Sequence, residues 1–317
     1  MKIEIKIGII GCGGHAQHHA ESLRNHFVIE SVWDPSSVSM SQIESVRKAR
    51  TFEELLSDNI DAVMISSPDE YHFVHIEKAL TAGKHIFCEK PLLVPGESIE
   101  RLQAVIKLAR EKHLIITSCH PRRYDVPGLW MKKELPDFQE LYGKVIGFAF
   151  DFSYHAPSAA WKHSRSLLLD HLNHEVDLMN FFFGIQSFSA WKLHDGHDHY
   201  EVVGQRDDRI NFHFRGTRRL VSERYPEWFR IRLERAEVIV STADGVAEIR
   251  DHNCASIQRL SNLCTDYDAR LDGVAHDFAQ SIRTGKWGYL SEAEMVMNSE
   301  AGIILQREGI QRVEVRA

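Results

Sequence analysis

The sequence has the length and composition of a folded protein with more than one domain. It contains 317 residues, of which 43% are hydrophobic and 26% are charged, and these fractions are ordinary for globular chains. Its 38 basic and 45 acidic residues give a net charge of −7, which argues against nucleic acid or an anionic membrane surface as a partner. We expect neither a signal peptide nor a membrane anchor, because no stretch approaches the ~20 apolar residues of a membrane span.

The cysteines predict neither a disulfide framework nor a zinc ribbon. The chain has five of them, and no two form a C-x-x-C pair. The histidine-rich segment 194–199 has the composition of a metal site, but it falls in a predicted loop that does not fix ligand geometry. We therefore expect a cytoplasmic protein without a bound metal.

The first third of the chain alternates between short apolar runs and helical patterns. The runs are residues 5–10, 28–33, 62–65, 85–88 and 114–117, and the helical stretches between them include 14–26, 70–82 and 99–109. Alternation of strands and helices with short connections predicts a parallel, doubly wound sheet of the Rossmann type.

The pattern changes near residue 120. From 144 to 258 most runs are strand-like, with one helix at 168–183, and two helices close the chain. Successive strands joined by tight turns predict a mainly antiparallel sheet. The fold class is therefore α/β, with a Rossmann domain at 1–120 and an α+β domain with an open sheet at 121–317. An alternative for the last helices is that they pack back on the Rossmann domain.

A glycine-rich turn between the first strand and the first helix predicts a dinucleotide site. Glycine at position 11 permits a tight turn, glycine at 13 lets a pyrophosphate approach the backbone, and a small residue at 16 allows close helix packing. Asp34 ends the next strand about twenty residues later, where a carboxylate accepts hydrogen bonds from the adenosine ribose. The candidate cofactor-binding residues here are Gly11, Cys12, Gly13, Gly14, His15, Ala16 and Asp34.

The same turn favours NAD over NADP as the cofactor. The Asp34 carboxylate would repel a 2′-phosphate, and no arginine or lysine follows in residues 35–38 to bind one. A glycine turn that binds FAD, another nucleotide or nothing is the alternative interpretation.

Two further motifs follow the third and fourth strands. Ser66, Ser67 and Pro68 precede His72, and Glu89-Lys90-Pro91 follows residue 88. Both lie at carboxyl ends of parallel strands, where open α/β sheets bind ligands. The Lys90 ammonium there can stabilise negative charge that develops on a bound hydroxyl. An exposed ion pair of Glu89 and Lys90 is the plainer alternative.

A third motif lies on the helix at 168–183. Asp170, His174 and Asp177 share one face of that helix. A histidine beside a carboxylate is suited to general acid–base catalysis near neutral pH. The alternative is a solvated polar face with no catalytic role.

Together, in this order along the chain, the motifs resemble the Gfo/Idh/MocA family of oxidoreductases, named for glucose–fructose oxidoreductase and inositol dehydrogenase. The resemblance implies oxidation of a secondary hydroxyl of a sugar, cyclitol or sugar derivative with NAD or NADP, by a homodimer or homotetramer assembled through the open sheet. It implies that Lys90, Asp170 and His174 are catalytic and also contact the substrate. It further implies cofactor contacts for Ser66, Ser67, Pro68, His72, Glu89 and Lys90, and substrate contacts for Arg122, Arg123 and Tyr124. Trp161 and Arg165, which precede the helix at 168–183, are further candidate substrate contacts, and plain packing is the alternative for Trp161.

The chain departs from the family pattern just before the catalytic helix. Residues 164–166 read Ser-Arg-Ser where the family often has glycines, and Leu172 replaces a usual glycine. These changes leave the substrate open. They also keep a second interpretation, a nicotinamide-binding sensor on the same fold that lacks catalysis. An intact Lys90, Asp170 and His174 set favours the enzyme.

Overall fold

The computed structural model describes residues 4–153, 166–219, 227–251, 253 and 255–316. The chain divides into two compact units. Unit 1 comprises Met1–Tyr124 and Tyr267–Ser299, and unit 2 comprises Asp125–Asp266 and Glu300–Ala317. Each unit is described below by itself.

Unit 1 is built on a parallel sheet of six strands. Neighbouring strands pair in parallel, in the order β3-β2-β1-β4-β5-β6, so the Rossmann prediction is confirmed. The order reverses direction between β1 and β4, which is the place where doubly wound sheets bind ligands. The strands are β1 Lys6–Ile10, β2 Val28–Trp33, β3 Arg47–Lys48, β4 Ala62–Ile65, β5 His85–Cys88 and β6 Ile116–Ser118.

Helices alternate with these strands, and several of them begin with a side-chain cap. Thr51 accepts a hydrogen bond from the Glu54 backbone N–H and Ser98 accepts one from Arg101, which satisfies donors that a helix start leaves unpaired. The helices are α1 Gly14–Arg24, α2 Ser37–Ser41, α3 Phe52–Ser57, α4 His72–Thr81 and α5 Ile99–Glu111, with short 3₁₀ turns at Asp69–Tyr71 and Pro121–Tyr124.

Unit 2 contains a sheet of nine strands that is mainly antiparallel, as expected. The order is β14-β13-β12-β11-β7-β10-β9-β8-β15, and β7 with β10 is a parallel pair. The strands are β7 Val145–Ser153, β8 Phe188–Gly196, β9 His199–Arg206, β10 Asn211–Thr217, β11 Glu227–Leu233, β12 Ala236–Ser241, β13 Val246–Asp251, β14 Ser256–Leu260 and β15 Gln311–Val313.

Unit 2 also contains α6 Val126–Tyr142, which precedes β7, and α7 Leu167–Phe183, which lies between β7 and β8. The Phe182 ring of α7 lies 5.9 Å from Phe148 of β7 and 5.3 Å from Phe229 of β11. Aromatic rings at this separation pack favourably, and they hold α7 against one face of the sheet. The sequence analysis did not predict α6, which contains Pro136 in its interior.

The last two helices are α8 Tyr267–Thr284 and α9 Glu292–Ile304. Leu271, Val274 and Phe278 of α8 are buried in the same apolar core as β1 and α1. Residues 267–299 therefore belong to unit 1, the packing that was left open for the last helices, although the boundary at residue 120 placed them in the second domain. Among the described residues, no helix combines the length and the apolar character that crossing a bilayer requires.

Candidate functional site

The glycine turn lies at the switch point of the parallel sheet. Gly11 has a φ of +84°, a conformation that side chains disfavour. A Cβ added there would lie 2.5 Å from the Ser67 backbone nitrogen and 2.6 Å from the Ser66 carbonyl carbon. Only glycine therefore lets the β1 turn touch the segment after β4, and this contact brings the first two predicted motifs together.

The N-terminus of α1 opens into free space beside that turn. Gly13 is the N-cap and makes no side-chain cap hydrogen bond. A Cβ placed on Gly13 or Gly14 would meet no atom within 4 Å. The first N–H groups of α1 therefore face room for an anion, and the helix dipole favours a pyrophosphate there. Ala16 is fully buried and lets the helix pack closely, whereas His15 is exposed.

Asp34 is fixed by backbone donors at the end of β2. Its two carboxylate oxygens accept hydrogen bonds from the Cys12 and Ser36 backbone N–H groups, each at 2.8 Å. Each oxygen keeps a further lone pair for a ligand hydroxyl. Burial raises the pKa of the Cys12 thiol to about 12, and the Asp34 charge adds to the shift, so Cys12 supplies backbone contacts and no thiolate.

A cleft of about 630 Å³ adjoins Asp34. It is lined from β2, α2, β3, α3 and α4, and apart from Asp34 the motifs did not select its residues. Three of them are cations with partners of their own: Lys48 donates to the Ile43 carbonyl, Arg50 pairs with Glu54 at 3.0 Å, and Lys78 lies 3.5 Å from Glu53. The lining includes Trp33, Pro35, Met40, Lys48, Arg50, Phe52 and Lys78.

His72 joins the segments that follow β4 and β5. Its Nδ1 lies 2.8 Å from the Pro91 carbonyl oxygen and its Nε2 lies 2.7 Å from the Ser67 carbonyl oxygen. The side chain is fully buried, and burial lowers its pKa while the two carbonyl acceptors oppose that shift. His72 therefore holds the loop that carries Lys90 against the glycine-turn region, and it has no open surface for a ligand.

Glu89 takes part in a buried pair beneath the same loop. Its Oε1 lies 2.5 Å from His19 Nε2. Burial alone would raise the pKa of Glu89, but the His19 hydrogen bond and the charges of His19, His15 and Lys90 lower it overall. The plain alternative, an exposed ion pair of Glu89 with Lys90, does not describe this carboxylate. Lys90 is half-buried, and its backbone N–H donates to Glu89 at 3.2 Å.

Cys119 completes a group of metal-ligand residue types with His19 and Glu89. Their ligand atoms lie within 4.8 Å of one another. The nitrogen and oxygen that are 2.5 Å apart are at hydrogen-bonding distance. Two ligand atoms that each lie about 2 Å from the same tetrahedral ion would be farther apart than the 2.5 Å between this nitrogen and oxygen. The arrangement is therefore that of a hydrogen-bonded pair beside a buried thiol.

The histidine-rich segment 194–199 lies at the ends of β8 and β9, so the loop prediction there was wrong. The rings of His194 and His199 face each other at 4.2 Å on this hairpin. Asp198 is bound instead by Arg218 at 2.8 Å and Arg219 at 3.3 Å, which also lowers its pKa. The Asp198 carboxylate of this segment is therefore used in arginine pairs.

The arginine-rich segment after β6 anchors the late helices of unit 1. Arg123 is 1% exposed and donates to Glu294 of α9 at 2.7 Å. The Tyr124 hydroxyl donates to Asp277 of α8 at 2.9 Å. Arg122 is half-buried. The sequence motif pointed to substrate contacts at these positions, and it gave no sign of the partners on α8 and α9.

In unit 2, α7 carries Asp170 in its first turn, with His174 and Asp177 following on the same side. His174 is 6% exposed and Asp177 is 1% exposed, while Asp170 is half-buried. The alternative of a solvated polar face is therefore excluded. The predicted substrate residues Trp161 and Arg165 lie outside the described residues, as does Ser164.

A polar cluster on α7 was missed by the sequence analysis. His171 Nδ1 lies 2.7 Å from Glu175 Oε1, and the Tyr200 hydroxyl of β9 donates to the same oxygen at 2.5 Å. Glu175 is completely buried. The spacing of His171 and Glu175, four residues apart, was the available signal, but the burial and the partner on β9 are set by tertiary packing.

The structure thus groups the predicted residues into two sets. The cofactor candidates and Lys90 belong to unit 1, where the turn after β1, the segments after β4 and β5 and the end of β2 adjoin one another. Asp170 and His174 belong to α7 of unit 2. A six-stranded parallel sheet with a glycine turn, an open helix start and an acidic residue after β2 defines a dinucleotide-binding domain.

Comparison with known proteins relates the N-terminal part of the chain to one family. Residues 5–120 match the model of the Gfo/Idh/MocA oxidoreductase family, described as an NAD-binding Rossmann fold. Residues 5–120 are therefore similar to the nucleotide-binding domain of this family.

Individual relatives extend the match to different degrees. An uncharacterized oxidoreductase of Schizosaccharomyces pombe is 34% identical over 155 residues, which is 45% of this chain and 40% of that protein. The scyllo-inositol 2-dehydrogenase (NAD(+)) of Bacillus subtilis is 25% identical over 327 residues, covering 96% of this chain and 93% of the relative. In three of the curated relatives the aligned stretches span only 40% to 56% of their length.

Solved structures share the fold over nearly the whole chain. A levoglucosan dehydrogenase in complex with NADH and levoglucosan has a TM-score of 0.81 at 17% identity, covering 98% of this chain and 99% of that one. At this identity the likeness establishes the fold alone. It confirms the combination of a Rossmann sheet with a second, mainly antiparallel sheet.

Proposed function

We propose that this protein is an NAD-dependent oxidoreductase that transfers hydride between nicotinamide and a secondary hydroxyl or ketone of a sugar, cyclitol or sugar derivative. The observation that carries the proposal is the Asp34 carboxylate, held by two backbone N–H groups beside the open start of α1. The names of two relatives, an inositol dehydrogenase and a levoglucosan dehydrogenase, support a polyhydroxylated substrate.

The residues of the turn fit a dinucleotide. The pyrophosphate would bind at Gly13 and Gly14, where added side chains would meet open space and helix N–H groups are available. Contacts from the neighbouring segments would come from Cys12, His15, Ser66, Ser67, Pro68 and Glu89, with His72 holding the last of these segments in place.

The preference for NAD over NADP rests on the charge of Asp34. Its remaining lone pairs accept hydrogen bonds from the ribose hydroxyls, while a 2′-phosphate would face a carboxylate. Lys48 and Arg50, cations of the adjoining cleft, are already bonded to the Ile43 carbonyl and to Glu54. Both side chains have further N–H donors, so the preference for NAD rests on the charge of Asp34 and not on an absence of nearby cations.

The chemistry would be carried by Lys90, Asp170 and His174. Bound NAD supplies the hydride acceptor. His174 accepts the proton of the substrate hydroxyl, and the Lys90 ammonium stabilises the negative charge that develops on that oxygen. Asp170, one helical turn before His174, orients the imidazole. In the reverse direction His174 returns the proton to a ketone oxygen.

Substrate selection would involve Arg122, Trp161 and Arg165. Arg123 and Tyr124 were predicted to join them, but their polar groups are bonded to Glu294 and Asp277. We therefore assign these two residues mainly to holding the segment, with Arg122 as the substrate contact. An arginine in this role suits a hydroxyl-rich or anionic group.

The test is a screen of sugars, cyclitols and sugar acids with purified protein and NAD, followed by the absorbance of the reduced nicotinamide. We expect turnover of at least one polyol, and loss of that turnover in His174→Ala. Binding of NADH without turnover of any compound in the panel would favour the sensor interpretation and contradict the enzyme.

We also propose a homodimer or homotetramer assembled through the face of the nine-stranded sheet opposite α7. Strand alternation places polar cross-strand pairs there, among them His213 with Glu201 at 2.6 Å and Arg215 with Asp151. Light scattering coupled to gel filtration tests this assembly. A monomer at micromolar concentration would contradict it, and Arg215→Glu should weaken the oligomer if the face is buried in it.

A further inference from the structure

A buried polar network lies on α7 beside His174. It consists of His171, Glu175 and Tyr200, whose exposed fractions are 8%, 0% and 2%. Glu175 Oε1 is its centre, because both the His171 Nδ1 and the Tyr200 hydroxyl lie within hydrogen-bonding distance of that one oxygen, at 2.7 Å and 2.5 Å.

The contacts suit an ionised Glu175. A buried carboxylate is strongly disfavoured unless donors satisfy it. An ionised Glu175 can only accept, so the Tyr200 hydroxyl and the His171 Nδ1 must both donate to it. In that state His171 keeps a proton on Nδ1, and Glu175 places a negative charge inside unit 2.

The His171 ring connects this charge to His174. The two imidazoles, three residues apart on α7, meet edge to face with ring centroids 5.2 Å apart. Phe152 of β7 stacks on His171 with an interplanar angle of 11°. Gly216 of β10 makes room for this stack, because a side chain there would overlap the Phe152 and Tyr200 rings. The His171 ring is thus in contact with both Phe152 and His174.

Other charges around α7 lie mainly at its ends. Among the described residues, Lys132 donates to the Phe181 carbonyl and Arg206 to the Phe183 carbonyl at the C-terminus. At the N-terminus Arg218 reaches the His197 carbonyl, which accepts from the Leu167 N–H. Two sets of titratable or charged groups therefore bear on the charge of His174. On α7 itself they are Asp170, His171, Glu175 and Asp177. On the elements packed around α7 they are Tyr200, Lys132, Arg206, Arg218 with Asp198, and Glu300 with Arg316.

We propose that His171 and Glu175 are positioning residues for His174: Glu175, kept ionised by Tyr200, fixes the His171 ring against His174 and favours the imidazolium that His174 becomes when it accepts the substrate proton. The inference rests on the proposed function for its role in turnover. The effect on His174 itself is a property of unit 2 and does not depend on a substrate.

The chemistry explains why such a network is useful. Oxidation of a hydroxyl leaves His174 with one extra positive charge in a pocket where it is 6% exposed, and burial disfavours charge. A carboxylate behind the neighbouring imidazole offsets that cost. The carboxylate does not exchange protons with substrate, because two donors already bind its Oε1.

The test is the titration of His174, followed by NMR of histidine-labelled protein, in wild type, Glu175→Gln and Glu300→Gln. The His174→Ala spectrum assigns the signal. Glu300 is the matched control, since it is a carboxylate 1% exposed in the same unit and pairs with Arg316 at 2.6 Å. We expect the His174 midpoint to fall by about one pH unit in Glu175→Gln and to stay unchanged in Glu300→Gln.

An unchanged midpoint in Glu175→Gln, or an equal fall in both variants, overturns the proposal. Tyr200→Phe, which keeps the packed ring, serves if Glu175→Gln does not fold. It should lower the midpoint in the same direction by a smaller amount, and no shift would overturn the proposal as well.

Steady-state kinetics provide the second test of the proposal. With a polyol substrate found in the screen, Glu175→Gln should lower kcat about tenfold while KM for NAD stays within about twofold. A loss confined to KM, or equal losses in Glu300→Gln, contradicts the positioning role. If wild type turns over nothing, the proposed function fails, and the NMR titration still decides whether the network acts on His174.

Discussion

The two polar regions of this protein are built in opposite ways. The nucleotide region of unit 1 is made largely of backbone: a glycine at positive φ, an open helix start and a carboxylate held by two N–H groups. The α7 region of unit 2 is made of buried side chains that bond one another. We therefore expect the nucleotide region to be disrupted by substitutions that add atoms. We expect the α7 region to be disrupted by substitutions that remove a charge or a hydrogen bond.

The largest effect expected in unit 2 is on turnover. Replacing His174 by Ala should lower kcat about 10³-fold, because the hydroxyl proton then has no acceptor, while NADH affinity should change by less than about twofold. Steady-state kinetics and NADH fluorescence measure the two quantities. His194→Ala, an exposed histidine of the same unit, is the control. A parallel loss of cofactor affinity would assign His174 to structure.

The nucleotide region should respond most to Gly11→Ala. The added Cβ would overlap the segment after β4, so we expect the free energy of unfolding to fall by roughly 3 kcal/mol and NADH binding to be lost. Gly83→Ala is the control, since Gly83 has a φ of +73° with no atom within 4 Å of an added Cβ. It should cost only about 1 kcal/mol, as measured by urea unfolding. An equal loss of unfolding free energy in the two variants would contradict the claim that close approach requires glycine at position 11.

A buried histidine gives unit 1 a pH dependence of its own. Burial lowers the pKa of His75 to about 4, and the charges of His72 and Lys78 add to the shift. The unfolded chain binds this proton below about pH 6.5, so between these values it binds more protons than the folded chain. The free energy of unfolding should therefore fall as pH is lowered from 6.5, by on the order of 2 kcal/mol.

The variant His75→Gln tests this assignment. Glutamine keeps a polar partner for the Ser67 hydroxyl, which lies 2.9 Å from His75 Nδ1, but it does not titrate. Urea unfolding at several pH values between 6.5 and 4.5 should show a shallower slope in the variant. Identical slopes would assign the acid sensitivity to other groups.

The smallest expected effect concerns cofactor choice. Asp34→Asn keeps one oxygen acceptor and removes the charge, so NADH affinity should fall about tenfold while the discrimination against NADPH narrows. Asp61→Asn, another carboxylate of unit 1 that accepts from a backbone N–H at 2.8 Å, is the control. An unchanged NADH-to-NADPH ratio in Asp34→Asn would remove Asp34 from cofactor selection.

The regions also differ in how far the sequence predicted them. The parallel sheet and the glycine turn were predictable because their requirements are local: apolar strands buried on both faces and glycines at fixed spacing. α6 was missed because Pro136 and Gly128 are unfavourable inside helices and burial of its apolar face overrides them. His171, Glu175 and Tyr200 were missed because a strand far along the chain supplies the partner.

The assignment of the late helices shows the same limit. The apolar spacing of Val274 and Phe278 predicted α8, but not which core it joins. Its contacts with the core of β1 and α1, and the bonds from Arg123 and Tyr124 to α9 and α8, are tertiary. A motif that resembled a substrate segment thus proved to hold the Rossmann unit together as well.

The most direct test of the central claim is a parallel titration of the purified protein with NADH and with NADPH, followed by nicotinamide fluorescence. We predict saturable binding of NADH and binding of NADPH at least about tenfold weaker, because the Asp34 carboxylate would face a 2′-phosphate. Tighter binding of NADPH would contradict the cofactor assignment. Binding of neither would contradict the nucleotide site on which the proposed oxidoreductase activity rests.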